Sequence, residues 1–199
     1  MIRLARVLAV IALGGIAVAI GATAVGHTGL GPALDPLDLT VSDFALSDHG
    51  TAIEVAMVAL GLASAALLGA LFAARVPVRG VPGLLILLWT VGLFVSAAVP
   101  TDPVGAPVLT PSGSVHRYAS VAAFVSLPAA VLLLVRRLKA DRFSGLLRGL
   151  ALASAAGLVA MLYVTFPGDR VLIGLVERLL LAVEVALVTA VIRGASARK

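Results

Sequence analysis

Six times along the chain an apolar run of about 20 residues recurs, and most of the charge sits in the connections between the runs. A helix rises about 1.5 Å per residue, so each run is long enough to cross a hydrocarbon layer about 30 Å thick. A soluble core cannot absorb this excess: 61% of the 199 residues are hydrophobic and 13% charged, against about 45–50% and about a quarter in soluble domains. In lipid, backbone polar groups must be satisfied within the segment, and long runs without alternation satisfy them as helices. The expected fold is therefore all-α, a polytopic membrane protein whose six transmembrane helices form one bundle and one domain over residues 1–199. The helices are expected at about 4–26, 51–74, 81–99, 115–135, 145–166 and 171–192.

The basic residues orient the bundle. Cytoplasmic connections retain Lys and Arg, and twelve of the fifteen basic residues fall at alternate ends: Arg3 and Arg6, Arg75 and Arg79, the run from Arg136 to Arg148, and Arg193 to Lys199. The opposite connections receive Asp35, Asp38, Asp43, Asp48, Asp102 and Asp169, with Arg117 and Arg170 as the basic residues near that boundary. Both ends of the chain are thus expected in the cytoplasm, and the protein in the plasma membrane as a multi-pass component. The formal charge of +5 would suggest nucleic acid in a soluble protein; here it orients helices, so membrane lipids are the expected partners and nucleic acid is not. The first run follows Arg3 and Arg6 as a signal peptide would, but its length of about 20 residues fits a retained helix. With no cysteine in the chain, disulfides, thiolate catalysis and Cys-ligated metals are excluded.

The outward connections are the distinctive ones. Residues 27–50 open with Gly-Leu-Gly-Pro and Asp35-Pro36, then scatter Leu37, Leu39, Val41, Phe44 and Leu46 among polar residues, which suits a short interfacial element. Residues 100–114 hold four prolines and cannot be helical throughout. Val99-Pro100-Thr101-Asp102 and Phe166-Pro167-Gly168-Asp169 echo one another; turn chemistry at helix ends explains the match without duplication. Ser47, Asp48 and Asp169 stand where they would cap the second and sixth helices. Asp35 and Asp102 precede prolines, as turn residues do.

A charge inside the hydrocarbon costs about 2.5–3.5 kcal/mol even on the lenient insertion scale, so intramembrane charges are informative. The sixth helix carries Glu177, Arg178 and Glu184, the second carries Glu54, and His49, His116 and Arg117 open the second and fourth. Glu177 and Glu184 are two turns apart on one face, about 10 Å along the axis, while Arg178 is rotated by about 100°. Arg178 therefore needs a carboxylate or carbonyl from a neighbour, with Glu54 or Asp102 at suitable depth. His27, His49 and His116 lie at the outer boundary without metal-ligand spacing, and no His-Glu-x-x-His motif occurs; interfacial histidine is the favoured reading, with no haem, metal or other cofactor. Gly61, Ala65 and Gly69 form a small-residue stripe that would admit close helix approach. Pro128 should kink the fourth helix after Ser126. No Gly-rich phosphate loop or nucleophile elbow is present.

Val41-Ser42-Asp43-Phe44-Ala45-Leu46, Val99-Pro100-Thr101-Asp102-Pro103, His116, and Gly174-Leu175-Val176-Glu177-Arg178 together resemble the DUF998 family, bacterial and archaeal six-helix membrane proteins without an assigned activity. The resemblance covers nearly the whole chain and implies fold and membrane location. At the last motif the family often has Gln before Arg, where this chain has Glu177.

Three readings of the polar residues follow. In the first, the protein is structural or partner-binding, and its charges lock helices. In the second, Asp43, Asp102, His116, Glu177 and Arg178 converge in an outer-half pocket that binds or transports a lipid headgroup or small solute, helped by helix N-termini facing that side. A third makes Asp102 and His116 the acid and base of an embedded enzyme, which requires both within reach of one substrate atom. Convergence would let each buried charge compensate another.

Overall fold

The computed structural model describes residues 2–28, 34–106, 108–138 and 142–197. Its described residues form seven helices and no strand: α1 Ile2–Gly26, the short 3-10 helix η1 Val41–Leu46, α2 Gly50–Ala73, α3 Val81–Ala98, α4 Pro111–Val135, α5 Arg142–Thr165 and α6 Ile173–Ala197. The Gly-Leu-Gly-Pro turn and the positions of Lys139, Arg198 and Lys199 lie outside the described residues.

Among the described residues, five helices, α1 to α5, are long and apolar enough to cross a membrane. The expected sixth, α6, is 25 residues long but falls outside this set because it carries Glu177, Arg178 and Glu184 within three turns. Helix starts also shift for local reasons. α4 begins at Pro111 rather than near 115, since Thr110 is its N-cap, accepting from the Gly113 amide, and proline suits the first turn. α6 begins at Ile173 rather than 171, because Asp169, Arg170 and Leu172 all have positive φ and cannot continue a right-handed helix. α4 runs through Pro128 as one helix.

Sequential helices are neighbours. α1 packs chiefly on α2 and α3 chiefly on α4, while α6 touches α1, α2, α4 and α5. Large apolar side chains such as Val10, Leu84, Val159 and Leu162 face outward, while others such as Trp89, Leu67, Leu127 and Leu187 are enclosed; apolar residues on both faces are expected where the surroundings are as apolar as the core. Two glycines allow helices to approach closely. A Cβ on Gly15 would stand 2.9 Å from the Ala63 Cβ, and one on Gly92 would stand 2.8 Å from the Ala119 carbonyl. The stripe of Gly61, Ala65 and Gly69 does not serve this purpose: Ala65 is exposed, Gly61 faces the Phe94 ring and Gly69 a Leu8 methyl. Buried polar groups pair across helices, with Trp89 Nε1 donating to Ser64 Oγ at 2.8 Å and Ser96 Oγ lying 2.9 Å from Ser120 Oγ. At one end of the bundle Arg137 ties the α4–α5 link to the α2–α3 link, donating to the carbonyls of Pro77 and Arg79. The opposite end carries η1 and the proline-rich connection.

Candidate functional site

The segment from Leu34 to Ser47 folds by local chemistry before it touches anything else. Asp35 Oδ1 accepts from the Leu37 amide at 2.8 Å, closing the turn that Pro36 begins. Thr40 and Asp43 form a reciprocal capping box on η1, with Asp43 Oδ2 accepting from the Thr40 amide at 2.8 Å and the Thr40 hydroxyl at 2.7 Å.

This folded segment then supplies what α6 lacks at its start. The first amides of a helix have no partner within it, and here Leu172 N donates to Asp38 Oδ1 at 2.9 Å and Leu175 N to the Leu37 carbonyl at 3.0 Å. The carboxylate over α6 is therefore Asp38, not Asp169, whose left-handed backbone places it in the turn instead. Ser47 and Asp48 likewise do not cap α2: its N-cap is His49, without a side-chain bond, and Ser47 Oγ donates back to the Phe44 carbonyl. In the other direction the Val41 amide donates to Glu177 Oε2. Gly174 permits the approach, since a Cβ there would overlap the carbonyls of Leu39 and Pro36.

Arg178 closes the arrangement. Its Nη1 donates to the carbonyls of Pro36 at 2.6 Å, Leu39 at 2.7 Å and Gly174 at 3.0 Å. Its Nη2 lies 2.7 Å from His27 Nε2, and the guanidinium stands 5.0 Å from the centre of the Phe44 ring, close enough for a cation–π contact. His27 also stacks on Phe44, with ring centres 4.4 Å apart. Because His27 Nδ1 is 2.7 Å from the Thr23 carbonyl, which can only accept, Nδ1 carries the proton and Nε2 is the acceptor for Arg178. Arg178 therefore takes carbonyls and an imidazole rather than Glu54, which is exposed, or Asp102. Asp43 faces Arg170 at 3.8 Å.

Asp102 and His116 take their partners elsewhere. Asp102 accepts from the Thr110 hydroxyl at 2.6 Å and the Thr110 amide at 2.9 Å, pinching the proline-rich connection shut over Gly113. These two bonds hold its carboxyl below the usual carboxylate range, with Arg117 adding a smaller effect. His116 is buried, and its Nδ1 lies 2.8 Å from the Val99 carbonyl; Nε2 has no hydrogen-bond partner among the described residues. Of the five candidates, then, Asp43, Glu177 and Arg178 sit in one bonded cluster, while Asp102 and His116 bond within the α3–α4 hairpin. The two neighbourhoods border one open cleft of about 400 Å³, lined by Leu34, Asp43, Leu46, Ser47, Asp48, Pro103 and Val104. Among the described residues, no three His, Asp or Glu side chains are grouped to hold a metal ion.

Sequence reasoning missed His27, Asp38 and Thr40 as members of the cluster. Only Thr40 carried a local signal, the Thr-x-x-Asp spacing of a capping box; the other two act across 151 and 134 residues.

No curated protein and no solved structure matches the chain. The model of a protein family of unknown function, DUF998, matches residues 12–194, a span that includes the η1 segment, the Asp102 connection and the Arg178 cluster, and the chain therefore belongs to the DUF998 family.

Proposed function

We propose that this chain is a six-span protein of the plasma membrane, with α6 as the sixth span and both ends in the cytoplasm, whose outer charged residues lock the helices and present a fixed surface to partners within the membrane. One observation carries the reading: the Arg178 guanidinium is already engaged by three carbonyls, His27 and Phe44. A cation so occupied inside its own chain has little left for a headgroup or solute, whereas it fixes the interfacial segment on α6 firmly. The enzyme reading loses support, since Asp102 and His116 have different partners and no hydrogen bond joins them.

A second reading is favoured by the cleft beside Asp43. Its wall offers the Asp43 carboxylate, and the half-exposed Arg170 stands 3.8 Å from Asp43, a pair of opposite charges suited to a zwitterionic headgroup at the outer leaflet. The test is thermal unfolding of the purified protein in nanodiscs of phosphatidylcholine, phosphatidylethanolamine or phosphatidylglycerol, with Val104→Trp to fill the cleft. The structural reading expects one melting temperature for all three lipids and for the variant. Stabilisation by one headgroup that V104W abolishes would replace it with the headgroup reading.

A further inference from the structure

Near the middle of α6, eleven residues from its first and thirteen from its last, Glu184 is fully enclosed, as is Ser154 on α5. The Ser154 hydroxyl donates to Glu184 Oε1 at 2.9 Å. Glu184 Oε2 is buried with no hydrogen-bond partner among the described residues. Small residues make the meeting possible: Ala151 is enclosed beside Ser154, and Gly157 lies against Leu180, its would-be Cβ 3.1 Å from a leucine methyl. Nothing in the outer cluster uses this carboxyl. It lies about 10 Å below Glu177 along the helix, and it serves no cap or turn.

The charges on the surrounding elements stay near helix ends. On α6 itself the others are Glu177, Arg178 and Arg193. α1 brings Arg3 and Arg6 with His27 just beyond it, and α2 brings Glu54. α4 brings His116, Arg117 and Tyr118, and α5 brings Arg142, Arg148 and Tyr163; η1 contributes Asp43. Those on α1, α2, α4 and α5 lie within about two turns of an end. No ion pair to Glu184 occurs among the described residues. An ionised carboxylate so enclosed would need a counter-charge, whereas a carboxylic acid carries no charge: its carbonyl oxygen, Oε1, accepts from Ser154, and Oε2 is left to carry the hydrogen.

We propose that Glu184, held by Ser154, is a membrane-embedded proton-binding site, its carboxyl taking up and releasing one proton at Oε2. The reaction is simple dissociation: the Oε2–H bond breaks, the electron pair stays on the carboxylate, and the proton passes to water. Intramembrane carboxyls without charged partners mark proton pathways, and Ser154 keeps the site assembled in both states, since its hydroxyl can donate to the acid or to the carboxylate.

Infrared spectroscopy of the folded protein in lipid, titrated from acid to alkaline pH in H2O and D2O, tests this. The expected result is a carboxylic-acid carbonyl band that shifts in D2O, disappears on the alkaline limb, and is absent in Glu184→Gln. Gln preserves the shape and the acceptor for Ser154. Should E184Q not fold, Ser154→Ala supplies the assignment, because losing the hydrogen bond to Oε1 moves the Glu184 band to higher frequency. A band that neither shifts in D2O nor titrates would overturn the proposal, as would spectra in which neither variant alters a carboxylic-acid band.

Discussion

Replacing Arg178 with leucine removes one side chain and leaves several groups of other residues unpaired. The carbonyls of Pro36 and Leu39 lose their donor, His27 Nε2 loses its partner, and Phe44 loses the cation beside its ring. A buried acceptor left unsatisfied costs about 1–3 kcal/mol, and an exposed cation–π contact is worth about 0.5–1 kcal/mol. The Pro36 carbonyl is exposed and can turn to water, whereas Leu39 and His27 are part-buried, so the low end of each range applies to these two, and about 1 kcal/mol each with the ring contact gives a total of about 2–3 kcal/mol. This is somewhat less than the 3–5 kcal/mol lost when a fully buried pair is broken in soluble proteins. At roughly 2–4 °C per kcal/mol for a chain of this size, the melting temperature in detergent should fall by about 4–12 °C.

The loss should also be local. With the latch gone, amide hydrogen exchange should rise over 36–46 well before it rises in α2 or α3, because Arg178 supplies two of the bonds that fix this segment on α6 and the bonds left at Leu37, Asp38 and Val41 are single contacts. Arg178→Lys should be intermediate: an ammonium reaches some of the carbonyls but cannot present the planar fork that spans carbonyls and His27 together. An R178L protein with an unchanged melting temperature and unchanged exchange over 36–46 would refute the latch.

Acidification should loosen the proline-rich connection. Asp102 is held low by Thr110, so its contribution is complete above the unfolded value of about 3.9 and is lost as pH falls from there through the folded value; amide exchange at Thr110 and Gly113 should rise over that window, and Asp102→Asn should remove the pH dependence. Glu177→Gln should melt within about 1 kcal/mol of the parent, since Gln retains the oxygen that accepts from Val41, while Glu177→Leu should expose the η1 amides to exchange; equal behaviour of the two variants would argue against that bond. For topology, the absence of cysteine makes single-cysteine labelling clean: an impermeant thiol reagent on intact cells should modify Ala106→Cys and spare Arg136→Cys, and the reverse pattern would invert the orientation.

The helices were legible because each is a long apolar run whose identity does not depend on its neighbours. Their ends were less so, and the misses share one cause. Asp169 was expected to cap α6 because it stands before it in sequence, yet it is itself left-handed and two further left-handed residues, Arg170 and Leu172, intervene, and Asp38 caps instead from the far side of the chain. Capping rules count residues along the sequence, whereas a free amide takes whichever acceptor packing delivers. Asp102 and Arg178 were expected to meet for the same kind of reason, shared depth. Depth leaves the position around the bundle open, and Asp102 is satisfied eight residues away at Thr110. The need of Arg178 for a carboxylate or carbonyl was readable; that the carbonyls would come from a segment folded by its own Asp35 and Thr40 was not.

α6 then makes sense as the helix least like a membrane span by composition and the one with most helix neighbours. Glu177, Arg178 and Glu184 face other segments of the chain, with Glu177 and Glu184 both buried, while Arg193 near the end of the helix is exposed. The bonds that offset the cost of burying these charges are available only after the neighbours are in place. The polar partners of α6 come from segments on both sides of it in space: His27 from the end of α1, the Pro36–Val41 stretch from the α1–α2 connection, and Ser154 from α5. The partners from the N-terminal third of the chain lie more than 130 residues away in sequence. The contacts that hold these charges thus join the first quarter of the chain to the last, and their loss should separate the bundle at the η1 and α6 junction first.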